Sequence, residues 1–281
     1  HGKTSFMLNS ILAIARTGRK VFFYSFEEPD IKIYTKLVNL YLYELNPKNE
    51  EYQTSSNKIE FLQKYIRERQ HCEFINEGFV FIDKLIENGF LEIADTTKTL
   101  NDDSLIESIR SLADLNPVVF IDYLQKIPSE SEKKSATVSN KLQAIAKELN
   151  IALIVGCQYN RAGTTQGRPK LHNLKDASEI EQDANLVLMV FRMKVDMTDE
   201  EWDNHKLKTD EDQLEKDSSL QIEVQKNRDG ETGNISYMNF IGEHRKVLFK
   251  KEVEKEQAIE RQKRNEAEFS QMLAEEEDRL N

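Results

Sequence analysis

Cysteine is scarce in this 281-residue chain: Cys72 and Cys157 are the two present, far apart and without a C-x-x-C pair. That excludes a disulfide scaffold and a cysteine-rich zinc site, and makes a reducing cytoplasm the expected compartment. The five histidines are scattered, and the neighbours His71 and Cys72 lack companions at metal-ligand spacing. No apolar run approaches the roughly 18 residues of a membrane-spanning helix, so no membrane partner is expected. Positive charge is also in deficit. Fifty acids face 39 Lys and Arg, for a net charge of -11 and a pI near 5.2. A surface basic throughout is excluded, although a local basic groove is not. What remains is a chain 38% hydrophobic and 32% charged, enough for one large domain with appendages.

The first residues carry the first motif. His1-Gly2-Lys3-Thr4-Ser5-Phe6 is the second half of the pattern G-x-x-x-x-G-K-[ST]. In that pattern backbone N–H groups wrap nucleotide phosphates, the lysine reaches the terminal phosphates and the hydroxyl holds Mg²⁺. ATP and Mg²⁺ are the implied cofactors, with His1, Gly2, Lys3, Thr4 and Ser5 as the cradle. The first glycine and its preceding strand are missing and there is no initiator methionine, so the domain is expected to start upstream.

Beyond the loop, apolar runs alternate with helical periods. Thr4 to Ala15 reads as a helix bearing Phe6, Met7, Leu8, Ile11, Leu12 and Ile14, closed near Gly18. Val21 to Phe26 and Val118 to Asp122 are continuous apolar runs, as in strands covered on both faces. Helices are predicted over 29–45, most of 58–88, 103–113 and 139–149, and strands over 90–94, 151–156 and 186–191. Gly78 to Ile82 fits either. The alternation implies an α/β fold with a mostly parallel sheet flanked by helices. Residues 196–217 hold ten acids against three lysines, with Trp202 among them, and read as an acidic surface insertion. From Lys250 onward the chain is charged, helix-prone and free of Gly and Pro, with too few apolar residues for a heptad seam. A core over 1–249 and a charged helical tail over 250–281 are expected. The tail is either a solvated helix or a protein-binding one.

Phosphoryl transfer needs a phosphate cradle, a metal, a group that handles water, and positive charge against the transition state. Asp122 ends a buried strand and suits metal support; a helix cap or a solvent-facing acid is the alternative. Glu27 and Glu28 follow the strand after the first helix. Carboxyl ends of parallel strands face the ligand crevice, where a glutamate can activate water. Solvated loop residues are the alternative there.

Several ordered segments make the resemblance specific. Phe23-Tyr24-Ser25-Phe26-Glu27-Glu28-Pro29, Phe120-Ile121-Asp122-Tyr123-Leu124-Gln125, Gln158-Tyr159-Asn160-Arg161, Ser178-Glu179-Ile180-Glu181-Gln182-Asp183-Ala184 and Lys226-Asn227-Arg228-Asp229-Gly230 follow the phosphate loop in turn. Together they resemble the C-terminal motor domain of DnaB-type hexameric replicative helicases, over roughly Gly2 to Phe249. The resemblance implies a RecA-like P-loop NTPase core and DNA-unwinding activity driven by ATP. It makes Glu27 the catalytic glutamate, Gln158 the γ-phosphate sensor, and Arg228, with Lys226 beside it, an arginine finger acting on a neighbouring subunit. Self-association into a ring or helical oligomer follows. Two departures stand out: Cys157 replaces the family's serine before the sensor, and the double glutamate is similar to KaiC-type RecA-like ATPases.

Single-stranded DNA is the implied partner. Tyr159 to Lys175 carries Arg161, Arg168, Lys170 and Lys175 and no acid, a positive island where the family has a DNA-binding loop. An ordinary surface loop is the alternative. Two other functions compete: a KaiC-like or accessory ATPase remodelling a protein partner, and a nucleotide-dependent assembly module without turnover.

Overall fold

The two continuous apolar runs form the centre of a parallel sheet. β1 (Val21–Ser25) and β3 (Val118–Asp122) are buried along their length. With β2 (Leu91–Asp95) and β4 (Ala152–Val155) they give the order β2-β1-β3-β4, parallel throughout. The structure, a computed structural model, describes residues 2–47, 58–68, 72–96, 100–158, 177–192 and 219–249, with 49, 52, 70 and 171. The four basic residues of the expected DNA loop, the acidic insertion and the tail lie outside the described residues.

Side chains alternate across a strand, so each central strand feeds two cores. Phe23 and Phe120 pack with α1 (Lys3–Ala15), α2 (Asp30–Leu45), α3 (Lys58–Glu68) and α4 (Glu73–Glu87), through Leu8, Ile11, Leu37, Leu62 and Ile82. Phe22, Tyr24, Val119 and Ile121 pack on the other face with α5 (Asp102–Arg110) and α6 (Lys134–Leu149). Each fully buried leucine or isoleucine contributes roughly 1.5–3 kcal/mol.

The 58–88 stretch is two helices, and the Tyr65 hydroxyl accepts the Cys72 amide at the start of the second. The ambiguous Gly78 lies inside α4. A Cβ there would fall 2.7 Å from Leu42 Cδ2 and 3.1 Å from Val38 Cγ1, so the missing side chain lets α4 pack on α2. α6 begins at Lys134, five residues before the predicted Ser139. Its first turns are polar, with Val138 the one buried apolar side chain, so they lack a hydrophobic period. Lys141 in α6 instead pairs with Asp102 at 2.8 Å and Asp103 at 2.6 Å on α5.

A second sheet is antiparallel. β5 (Leu186–Arg192), β6 (Ser219–Asn227), β7 (Ile235–Ile241) and β8 (Lys246–Phe249) pair in that order. The short helix α7 (Ala177–Asp183) precedes it. Of these strands the sequence suggested β5 alone. The sheet's apolar face of Leu220, Ile222, Met238, Phe240 and Val247 packs on Phe6 of α1. Asn9 of α1 clasps the β7–β8 turn: its Nδ2 donates to the Arg245 carbonyl at 2.8 Å and its Oδ1 accepts the Val247 amide at 3.2 Å.

Candidate nucleotide site

The carboxyl ends of β1, β3 and β4 open on the side where α1 begins. Gly2 takes φ 95°, a conformation glycine adopts at little cost, and its carbonyl accepts the Phe6 amide at 2.9 Å. Lys3 and Thr4 thereby stand on the first turn of α1, facing the end of β3. Lys3 Nζ lies 2.7 Å from Asp122 Oδ1, and Thr4 Oγ1 donates to Asp122 Oδ2 at 2.6 Å. Asp122 is 2% exposed. Gly156, just past β4, leaves room for this cluster: a Cβ there would fall 2.9 Å from Lys3 Cδ and 3.1 Å from Asp122 Oδ1. Lys3 Nζ also sits 4.0 Å above the Tyr123 ring.

A cavity of about 350 Å³ extends from this cluster, lined by Gly2, Lys3, Thr4, Ser5, Glu27, Glu28, Tyr123, Cys157 and Gln158 among others. The structure thus brings together every sequence-predicted cradle residue it describes, with Glu27 and Gln158. Asp122 lies under the cradle, and His1 is outside the described residues. Glu27 is exposed. Burial, with the Glu27 and Asp122 charges nearby, raises the Tyr123 hydroxyl's pKa. Burial pushes the Cys157 thiol up to about 11, so it is a protonated small side chain at neutral pH. Gln158 is held from behind: Gln125 Oε1 accepts its amide at 3.0 Å and Gln125 Nε2 donates to its carbonyl at 3.3 Å.

Lys226 and Arg228 are elsewhere. Neither lines the cavity. Lys226 Nζ donates to the Glu181 carbonyl and Arg228 Nη2 to the Gln182 carbonyl, at the C-terminal end of α7. The Arg228 amide donates to the Asn185 carbonyl at 3.0 Å.

Four lining residues were missed from sequence. Arg192 ends β5 and its guanidinium lies 4.6 Å above the Phe240 ring. Arg245 comes from the β7–β8 turn, and Lys36 from α2. The strand ends that deliver Arg192 and Phe240 belong to the sheet whose pairing the sequence hid; an arginine closing an apolar run was the available signal.

The donor set suits a hard cation. Among the described residues no group of three His, Cys, Asp or Glu side chains could hold a metal alone. Thr4 and Asp122 offer oxygen ligands side by side, the arrangement for Mg²⁺, which keeps waters and takes its remaining ligands from phosphates. The same residues fit a nucleotide polyphosphate, with the α1 amides and Lys3 as its donors.

The sequence model of the DnaB-like helicase C terminal domain matches residues 1–251. Replicative DNA helicase DnaB of Rickettsia typhi is 28% identical over 258 residues, covering 84% of this chain and 48% of that protein. The Helicobacter pylori (strain J99) protein of the same name is 26% identical over 267 residues, covering 83% and 51%. The chain thus spans about half the length of these relatives. Among solved structures, an isolated ATPase domain superposes with a TM-score of 0.66 at 21% identity, covering 88% of this chain and 80% of that one. A DnaB-like replicative helicase, solved in a study of its interactions with primase, gives 0.65 at 20% identity, covering 88% and 54%. Both share the fold described above.

Proposed function

The chain belongs to the DnaB-like helicase C-terminal domain family, and we propose that it is the ATP-hydrolysing motor of a DNA helicase, working at the interfaces of a ring. One observation carries the proposal: Lys3 and Thr4 both engage Asp122 at the strand ends, on a cavity that Glu27 and Gln158 also line. Lys3 and the α1 amides bind the β- and γ-phosphates, and Lys3 exchanges its Asp122 partner for them. Thr4 and Asp122 hold Mg²⁺, which when bound neutralises charge on the phosphate oxygens. Glu27 accepts a proton from the attacking water. Gln158, its backbone fixed by Gln125, contacts the γ-phosphate.

Arg228, with Lys226 beside it, supplies the transition-state charge to the site of a neighbouring copy. In support, both stand on the surface away from their own chain's cavity. Self-association into a ring or helical oligomer follows. Single-stranded DNA contacts Arg161, Arg168, Lys170 and Lys175 through its phosphates. The working division is a motor over 1–249 and a tail over 250–281 that binds a protein partner. Among the described residues no helix is long and apolar enough to cross a membrane, and the proposed compartment is the cytoplasm.

The test is ATP turnover with and without single-stranded DNA. DNA should stimulate it, Lys170→Glu should remove the stimulation, and Glu27→Gln and Arg228→Ala should each remove turnover. Full turnover in either of the last two variants would overturn the site, and turnover indifferent to DNA would favour an accessory ATPase.

A further inference from the structure

Glu27 and Glu28 are consecutive and both line the cavity, yet their surroundings differ. The Glu27 side chain is exposed and makes no ion pair among the described residues. Glu28 is 18% exposed at its side chain, with one oxygen 2.7 Å from Lys32 Nζ and the other on Lys36 Nζ. Burial resists its ionisation, but these two lysines outweigh burial and hold the Glu28 carboxyl below its ordinary pKa. Its backbone is pinned as well: the Ser25 hydroxyl donates to the Glu28 carbonyl at 2.5 Å and accepts its amide at 3.3 Å.

Lys36 is the other half of the arrangement. Its side chain is 9% exposed. Burial, together with the Arg245 and Lys32 charges, lowers its pKa against the opposing pull of Glu28. A cation in that position needs a counterion. Lys36 and Glu27 line the same cavity, so an ammonium released by Glu28 would have Glu27 to turn to. Such a pairing would lower the basicity of Glu27 and occupy the oxygen that should face water.

Building on the hydrolytic site proposed above, we propose that Glu28 is a positioning residue and not a second general base: it retains the Lys36 ammonium and so leaves Glu27 free to accept a proton from water. The tandem glutamates then divide the work, one held and one free.

The experiment is steady-state ATP turnover by the whole chain carrying Glu28→Gln, Lys36→Met or both, with nucleotide affinity measured alongside. Glu28→Gln is expected to lower kcat by about tenfold or more with KM little changed, and adding Lys36→Met to restore most of the loss, as strongly coupled neighbours do. A double variant as slow as Glu28→Gln alone overturns the proposal, and is the result a second base or a purely structural role predicts. If Glu28→Gln folds poorly, Glu28→Asp is measured with and without Lys36→Met. The lysine substitution should repair whatever the shorter acid loses, and failure to repair it counts against the lock. A wild-type chain without turnover would count against the hydrolytic site itself, whereas an active wild type with an unrescued double variant counts against the lock alone.

Discussion

In the parallel sheet the strand ends deliver residues that meet one another. β1 leads to Glu27, β3 ends in Asp122, β4 leads to Gln158, and α1 sets Lys3 and Thr4 against Asp122. The antiparallel sheet is divided. Arg192, Phe240 and the Arg245 turn reach the same cavity, but Lys226 and Arg228 rest on the end of α7 and reach no part of it. One sheet assembles a phosphate site within the chain. The other closes a wall of that site with one end and presents cations outward with the other. The lesson is that chemistry confined to one chain is visible here as contacts, while chemistry shared with a second copy is visible as charged residues placed away from the site their motif belongs to.

The comparison can be broken most forcefully at the parallel sheet's own site. Glu27→Gln should lower turnover by about 10²–10⁴-fold while nucleotide still binds, since it removes a proton acceptor and keeps the side chain's shape. Loss of nucleotide binding instead would assign Glu27 to the cradle. Stability should follow the same division. Leu37 is fully buried between sheet and helices, and Leu37→Ala should cost about 2–5 kcal/mol in urea unfolding. Leu188 on β5 is 38% exposed, and Leu188→Ala should change stability by less than about 0.5 kcal/mol if that face is open in the working protein. A larger cost would mean that something covers β5. Gln125→Ala removes both hydrogen bonds to the Gln158 backbone and should cost about 1 kcal/mol, with a fall in kcat at little change in nucleotide affinity.

The smallest effects are titrations, one in each half. Glu28 has a lowered pKa in the fold, so its stabilisation is present above the ordinary carboxylate value of about 4.3 and is lost as pH falls through the lower folded value. His244 in the β7–β8 turn is buried against Tyr43 and Tyr52, and burial lowers its pKa. The folded chain therefore binds its proton less readily than the unfolded one, and stability should decline as pH drops below about 6.5. Urea midpoints across that range should show two separate declines; Glu28→Gln should remove the lower one and His244→Gln the upper.

The parallel sheet was legible because both-face burial writes unbroken apolar runs such as Val118 to Ile121, and because its site residues sit at the ends of those runs. The antiparallel sheet was not. β6 and β7 alternate apolar and polar residues, as in Ser219-Leu220-Gln221-Ile222-Glu223, and half-covered strands give a weaker signal between charged segments. Motif order placed Arg228 without placing its strand. Arg192, Arg245 and Lys36 carried no motif, and only tertiary structure brings them to the cavity. Gly78 looked ambiguous because its role, close approach to Leu42 and Val38, lies between two helices and not along one.

The central claim is that the parallel sheet's site is completed by Arg228 from another copy. It is tested most directly by mixing two inactive chains, Glu27→Gln and Arg228→Ala, in equal amounts under conditions where subunits exchange. Each chain alone should be silent. In the mixture about a quarter of head-to-tail interfaces would pair an intact Glu27 with an intact Arg228, so ATP turnover should reappear. A mixture as silent as its parts, with exchange verified, would contradict the shared site.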